Sequence, residues 1–272
     1  MSNRRLLYLV EIMGILLALV WLFPFYLMGV NAFKEKRDIF ADTIGLPETW
    51  TWDNFVQAFE QLGFINAFGN SLLITGVSTV LIIIFSAMAA YALSRNKSKF
   101  SSWIFFVFVA SMLIPFQSVM IPLVAQFGKL DMLNRGGLIF MYIGFGASLS
   151  IFLYHGALKG IPESLDDAAK IDGCNKFQTF WYIIFPLLKP MSVTVGVLNV
   201  IWIWNDYLLP SLVIGGNGTE TIPLKLFFFF GQYTKQWHLA LAGLTISILP
   251  VIIAYFFAQK QIIKGISDGA VK

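Results

Sequence analysis

Residues 164–190 read SLDDAAKIDGCNKFQTFWYIIFPLLKP, the most polar run in the second half of a chain that is otherwise mostly apolar. Ser164, with Asp167 three residues later, has the form of a capping box at a helix N-terminus. The pattern predicts a short helix over residues 165–172, and Gly173 is suited to follow it because glycine adopts left-handed backbone angles without a side-chain clash.

A second short helix is predicted immediately afterwards. Asn175 and Gln178 repeat the cap-like pattern, and the helix is expected to run to about Phe185. Its apolar residues fall at i, i+3, i+4 and i+7 and predict one continuous stripe of Phe177, Phe180, Trp181 and Ile184. Pro186 and Pro190 interrupt helical hydrogen bonding, so the second helix can lie at an angle to the apolar segment after it. The segment is interpreted as a helix–turn–helix elbow; the alternative is a merely well-capped loop.

The composition outside this segment points to lipid as the main solvent. Of 272 residues, 57% are hydrophobic and 12% charged, and the mean hydropathy is +0.73, whereas soluble domains carry about 25% charged residues. Runs of about 20 apolar residues match a bilayer core. They predict an all-α integral membrane protein, one transmembrane domain over 1–272, with six spans at residues 6–30, 67–93, 103–127, 137–158, 191–214 and 239–257.

The distribution of basic residues predicts the orientation. Most of the 19 lysines and arginines lie beside the termini and in the loops on the same side, including loop 159–190 between spans four and five. The positive-inside rule therefore places both termini and the elbow in the cytoplasm.

Residues for catalysis or metal binding are scarce. Cys174 is the only cysteine, His155 and His238 fall on opposite sides of the membrane in this topology, and no GxxxxGK[ST] motif is present. We expect no catalytic residues, no metal site and no nucleotide site, so a membrane enzyme is disfavoured.

Polar residues inside the predicted spans are candidates for a substrate path, because such groups are costly in lipid. The candidates are Asn70, Gln117, Trp204, Asn205 and Asp206. Asn205 and Asp206 either face a translocation route or form hydrogen bonds between packed helices. Asp206 also suggests an alternative function, an ion-coupled secondary transporter.

The spacing of the elbow resembles a known motif. ABC-importer permeases carry EAA-x3-G-x9-I-x-LP, and the matching positions here are Asp167, Ala168, Ala169, Gly173, Ile183, Phe185 and Pro186. Asp167 stands for the usual Glu and Phe185 for the usual Leu. Other segments are similar to the carbohydrate branch of that family, most of all to the shorter permease of the maltose-type pair: NSL at 70–72, AAYALSR at 89–95, IDG at 171–173, WND at 204–206 and GISDGAVK at 265–272.

The resemblance implies a type I ABC importer permease fold with a coupling helix in the elbow. Carried over by position, the coupling to the ATPase would rest on Asp167, Ala168, Ala169, Asp172 and Gly173, with Ile183 and Pro186 anchoring the second arm. It further implies a second homologous permease, a dimer of ATPase subunits that bind ATP and Mg, an extracytoplasmic solute-binding protein and a carbohydrate substrate, but no nucleic acid. The location it implies is a bacterial inner, or cytoplasmic, membrane. The sugar itself stays open.

Overall fold

The computed structural model describes residues 2–216, 218–231 and 235–270, with side chains given for most of the range 7–253 and for Phe256 and Gln259. Val271 and Lys272, the end of the GISDGAVK segment, lie outside the described residues. Regular structure in the described part is helical apart from one isolated bridge between Phe230 and Lys235.

The helices follow one another along the chain with short connections. They are α1 Ser2–Ala32, α2 Lys36–Ala41, α3 Asp53–Leu62, α4 Phe64–Arg95, α5 Lys99–Ser111, α6 Phe116–Lys129, α7 Arg135–Leu158, α8 Ser164–Ile171, α9 Lys176–Thr179, a π-helix Phe180–Ile184, α10 Phe185–Leu187, α11 Lys189–Asn205, α12 Leu208–Val213, α13 Ile222–Phe227 and α14 Trp237–Ala270.

Three of these helices, α1, α4 and α7, are long and apolar enough to cross a membrane. Two bent pairs pass the same criterion, α5 with α6 at 103° and Lys176–Leu187 with Lys189–Asn205 at 77°, which raises the number to five if each pair is one span. The described apolar part of α14, Trp237–Ile253, is shorter.

Two predicted spans are not continuous helices. The third, 103–127, is broken between Ser111 and Phe116, where Pro115 has extended backbone angles and, as a proline, has no N–H to donate. The fifth, 191–214, stops at Asn205 and resumes only at Leu208. Apolar composition predicts that these segments lie in lipid, but it does not report where the backbone bends.

Two compact units make up the chain. The first comprises residues 1–64 and 225–254, and the second residues 65–224 and 255–272. Their action as one transmembrane domain over residues 1–272 stays a prediction.

In the first unit, polar side chains close the end of α1. The Asn54 side chain donates to the carbonyl oxygens of Ala32 (2.9 Å) and Lys34 (2.8 Å), and the buried Lys34 amine donates to the Asp42 carbonyl oxygen at 2.6 Å. The N–H groups of the Asp42 turn bond its carboxylate, which lowers the pKa of Asp42. Carbonyls freed where a helix ends are thereby satisfied.

The core of the second unit lies between α4, α7, the elbow and α11. Fully buried members include Ile82, Tyr142, Tyr154 and Val195. Gly146 allows the close approach of α7 to its neighbours, since a Cβ there would lie 2.6 Å from the Ile82 side chain. The elbow is thus packed onto the spans.

Candidate functional site

The first arm of the elbow, residues 159–190, is α8, and it begins differently from the prediction. Its N-cap is Glu163 in helical conformation with no side-chain cap bond. The N–H of Leu165 bonds the Pro162 carbonyl and that of Asp166 bonds the Glu163 carbonyl. Because the turn already starts at Pro162, Ser164 lies inside the helix, and the predicted Ser164 capping box is wrong.

The corner after α8 is as predicted. Gly173 has φ of 84°, in the left-handed region, and the Cys174 N–H donates to the Ala169 carbonyl at 2.9 Å. Asn175 and Gln178 form a reciprocal capping box at the start of α9. A tight corner therefore separates the two arms.

The predicted coupling residues are divided between two faces of α8. Asp167, Ala168, Asp172 and Gly173 are exposed, as is Ile171 at 87%. Ala169 is only 1% exposed, so its side chain contacts this chain. Its side chain lies about 100° around the helix from that of Ala168, and its predicted part in the docking contact stays a prediction.

The second arm departs from a regular α-helix. Residues 180–184 are π-helical, so the predicted i, i+3, i+4 stripe does not stay on one line. Phe180 and Ile184 are buried, whereas Phe177 is exposed. The Phe177 ring still lies 6.0 Å from that of Trp181, centroid to centroid, so the first member of the predicted stripe keeps its contact along the arm but is not buried.

Ile183 and Pro186, the predicted anchors, flank Phe185 at the end of this arm. Ile183 is half-buried and Pro186 is exposed. The Phe185 ring lies 5.6 Å from the Phe180 ring and 5.1 Å from the Trp181 ring, centroid to centroid. The Phe in place of the usual Leu is thus part of an aromatic cluster. The arm meets α11 at 77°, which confirms the prediction that the second arm lies at an angle to the apolar segment after it.

A buried ion pair behind α8 was not anticipated from the sequence. The Arg95 Nε donates to Asp166 Oδ2 at 3.0 Å, and the Tyr91 hydroxyl donates to Asp166 Oδ1. From the sequence, Asp166 is only an acid in the first turn of a helix. The i, i+4 spacing of Tyr91 and Arg95 indicates that they share one face of a helix, but it does not indicate which acid they contact.

Asp206 lies where α11 ends. Its backbone is extended, with φ of −73° and ψ of 128°, and its carboxylate accepts the Tyr142 hydroxyl at 2.8 Å and the Leu208 N–H at 3.0 Å. The bond to α7 matches the helix-packing alternative. Because α11 ends at Asn205, Asp206 does not lie within a continuous helical fifth span, as was predicted.

The remaining substrate-path candidates have separate environments. Asn205 is exposed and its amide donates to the Ile201 carbonyl at 2.7 Å, while the Trp204 ring packs edge-on against Phe68. Gln117 is exposed in the first turn of α6. Their role in a substrate path stays a prediction.

Asn70 joins two helices and a loop. Its amide donates to the carbonyl oxygens of Gly218 (2.7 Å) and Glu220 (3.1 Å), and its Oδ1 accepts the Arg135 guanidinium at 2.9 Å. All of these bonds are internal, so Asn70 has a demonstrable structural role at the ends of α4 and α7.

A cavity of ≈ 570 Å³ lies beside the break between α5 and α6. Its polar lining includes Ser111, Ser148 and Asn199, with Trp202 and several phenylalanines supplying apolar surface. The two serine hydroxyls bond each other at 2.6 Å, and the Asn199 amide bonds Val195 and Ser150. These lining residues were not anticipated, because small polar residues in spans have no distinctive spacing.

Within the described residues, no group of three or more His, Cys, Asp or Glu side chains is arranged to hold a metal ion. The candidate site consists of three features: the exposed helix α8, the buried ion pair between Asp166 and Arg95 behind it, and the bend into α11.

These features define a class of protein: a helical membrane protein with several spans and a short exposed helix tethered to them through an elbow of EAA spacing. The family of the binding-protein-dependent transport system inner membrane component matches residues 82–268. The chain belongs to this family, which is a family of transport components, as the resemblance implied. The family match gives no support to the alternative of an ion-coupled secondary transporter.

The chain is similar over nearly its whole length to curated relatives. It is 57% identical over 265 residues, 97% of either chain, to the probable starch degradation products transport system permease protein AmyC of Thermoanaerobacterium thermosulfurigenes. It is 35% identical over 255 residues, 92% of either chain, to the multiple sugar-binding transport system permease protein MsmG of Streptococcus mutans.

A solved structure has the same fold. In a bacterial ABC transporter involved in the import of the acidic polysaccharide alginate, one chain matches with a TM-score of 0.78 and 24% identity, covering 95% of this chain and 97% of that one. The likeness confirms the predicted all-α ABC importer permease fold.

Proposed function

We propose that this chain is a permease subunit of an ATP-driven ABC importer for a carbohydrate. In this proposal it crosses a bacterial inner, or cytoplasmic, membrane six times, with both termini in the cytoplasm. It forms half of the translocation path together with a second, homologous permease. The relatives named for starch degradation products and for multiple sugars support an oligosaccharide as the substrate.

The observation that carries the proposal is the exposed face of α8. Ile171 presents an apolar side chain to solvent beside Asp167 and Ala168, while the opposite face of the helix is packed against the spans. A large apolar residue ringed by small and acidic ones suits the centre of a protein interface. The partner proposed for this face is a dimer of ATPase subunits, which bind ATP and Mg.

A solute-binding protein completes the proposed complex on the other side of the membrane. The family is that of binding-protein-dependent transport systems, so substrate would be delivered from outside the cell. This chain would supply the path and the mechanical link to the ATPases.

The docking surface can be tested with a matched pair of variants. Ile171→Ser removes the apolar side chain from α8, and Tyr182→Ser removes a larger side chain, also exposed (76%), from the second arm. In the purified complex with maltotriose as the probe, Ile171→Ser should lower ATPase co-purification and ATP-driven uptake about tenfold, which corresponds to about 1.4 kcal/mol. Tyr182→Ser should leave both near the unsubstituted level.

Equal co-purification and uptake for Ile171→Ser would contradict docking on α8. Uptake into vesicles that ignores ATP and collapses when an ionophore is added would contradict the ATP-driven importer itself.

A further inference from the structure

Two adjacent aspartates on α8 lie in opposite environments. The side chain of Asp167 is 71% exposed and pairs with Lys170 of the same helix. The side chain of Asp166 is 11% exposed, and that of its partner Arg95 is 16% exposed. Asp167 belongs to the proposed docking face, whereas Asp166 faces the end of α4.

Asp166 is bonded at both carboxylate oxygens by residues of α4. The Arg95 Nε donates to Oδ2 at 3.0 Å and the Tyr91 hydroxyl donates to Oδ1. The Arg95 Nη2 also donates to the Ile161 carbonyl at 3.1 Å. Removing one member would leave an uncompensated buried charge, which is strongly unfavourable, so this tether resists separation.

The other ion pairs of the elbow are weaker tethers. Lys97 pairs with Glu163 at 3.0 Å, but both side chains are more than half exposed. The pair between Lys170 and Asp167 lies within α8 itself. Exposed pairs of this kind contribute little to stability because water screens them.

Tyr91 also connects the second arm to α4. Its ring centroid lies 5.5 Å from that of Phe180, and Phe180 in turn packs against Trp181 and Phe185. A single tyrosine thus contacts α8 through its hydroxyl and the aromatic cluster through its ring. Both arms of the elbow are held by the last two turns of α4.

We infer that Tyr91, Arg95 and Asp166 form a clamp that passes displacement of α8 directly to α4. This inference rests on the proposed function, since an ATPase must move α8. The covalent route from α8 to α11 is indirect, because it runs through the Gly173 corner, α9 and the π-helical turn. The clamp instead joins α8 to a helix of 32 residues, about 48 Å long at 1.5 Å per residue, which is stiff enough to carry the movement across the membrane.

The three clamp residues are positioning residues, so their loss should reduce coupling more than assembly. The test uses the complete importer in liposomes, with its binding protein and maltotriose as the probe, and measures maltotriose imported per ATP hydrolysed. Asp166→Asn and Arg95→Gln should each lower this ratio at least fivefold, with ATPase co-purification unchanged. The double variant should be no worse than the single ones, because the pair acts as one unit.

The matched control is the exposed pair of Lys97, two residues after α4, with Glu163, the residue before α8. Glu163→Gln and Lys97→Gln each remove a charge from an ion pair with the same N···O distance, 3.0 Å, as the pair in the clamp. They leave the clamp intact, so the maltotriose imported per ATP hydrolysed should be unchanged. A lowered melting temperature of Asp166→Asn with an unchanged ratio would show a purely structural pair and overturn the inference.

If Asp166→Asn does not assemble, Tyr91→Phe decides the question, because it removes only a hydroxyl and keeps the ring against Phe180. A ratio lowered at least twofold supports the clamp, and an unchanged ratio overturns it. The proposed function is judged separately, and it fails if the unsubstituted complex shows no ATP-dependent uptake. If every variant keeps the ratio of the unsubstituted complex, only the clamp is contradicted.

Discussion

At the scale of single residues, the role of each member of the DDAA run is decided by which way it faces. Asp166 and Ala169 are buried, whereas Asp167 and Ala168 are exposed. Successive residues of an α-helix are turned by about 100°, so identical neighbours serve different surfaces. The same holds for Asp206, whose carboxylate is directed to Tyr142 of α7.

The bond between Tyr142 and Asp206 can be tested at this scale. Tyr142→Phe removes the hydroxyl and leaves a half-buried carboxylate with one donor fewer. We expect a loss of about 1–2 kcal/mol in the free energy of unfolding, measured by thermal unfolding of the chain in detergent.

The control is Tyr26→Phe, which removes an exposed hydroxyl bonded to the Ile44 carbonyl at 2.8 Å and should change stability much less. If the two variants unfold alike, the helix-packing role of Asp206 is not supported.

At the scale of elements, the breaks between helices shape the molecule as much as the helices do. α5 and α6 meet at 103° around Pro115, and the elbow turns by 77° into α11. A π-helical turn occupies residues 180–184, and such turns often occur at functional sites. The second of these bends lets the elbow lie across the end of the spans, where α8 contacts α4.

The corner of the elbow predicts a local effect of substitution. Gly173→Ala places a side chain at φ of 84°, a conformation that costs about 1–2 kcal/mol for an L-residue. Among the described residues no atom lies within 4 Å of the added Cβ, so backbone strain is the main penalty. Amide hydrogen exchange over residues 164–185 should become roughly 5- to 30-fold faster.

Gly156→Ala provides the comparison, since its added Cβ also meets no described atom within 4 Å but Gly156 lies within α7. Exchange there should not speed up. Similar behaviour of the two variants would mean that the left-handed corner does not stabilise the elbow.

At the scale of the whole molecule, much of the apolar surface in the described part of the chain is left uncovered by the chain itself. The apolar window of α1 is 0% buried, which is typical of a helix whose neighbours are lipid or another subunit. Four large apolar residues of its central turns, Leu16, Leu19, Trp21 and Leu22, are each more than half exposed. Lipid or another protein chain is therefore expected to cover this surface.

The proposed orientation can be checked by labelling intact cells. In a Cys174→Ser background, a cysteine at Lys170 in α8 should be protected from a membrane-impermeant thiol reagent, because the elbow is proposed to be cytoplasmic. A cysteine at Gly215, an exposed residue after α12, should react.

Permeabilised cells supply the control, since both positions should then react. Labelling of Lys170→Cys in intact cells would reverse the topology, and equal protection of both positions would contradict a fifth span between them.

The sequence by itself determined the membrane class, the all-α fold and the elbow with its glycine corner. These follow from local properties: apolar run length, cap residues and backbone freedom at Gly173. Only the tertiary structure decided that Asp166, with Arg95 and Tyr91, forms a buried tether, that Ala169 faces inward, and that spans three and five are broken. Burial and pairing depend on contacts between residues about 70 positions apart, which no local pattern encodes.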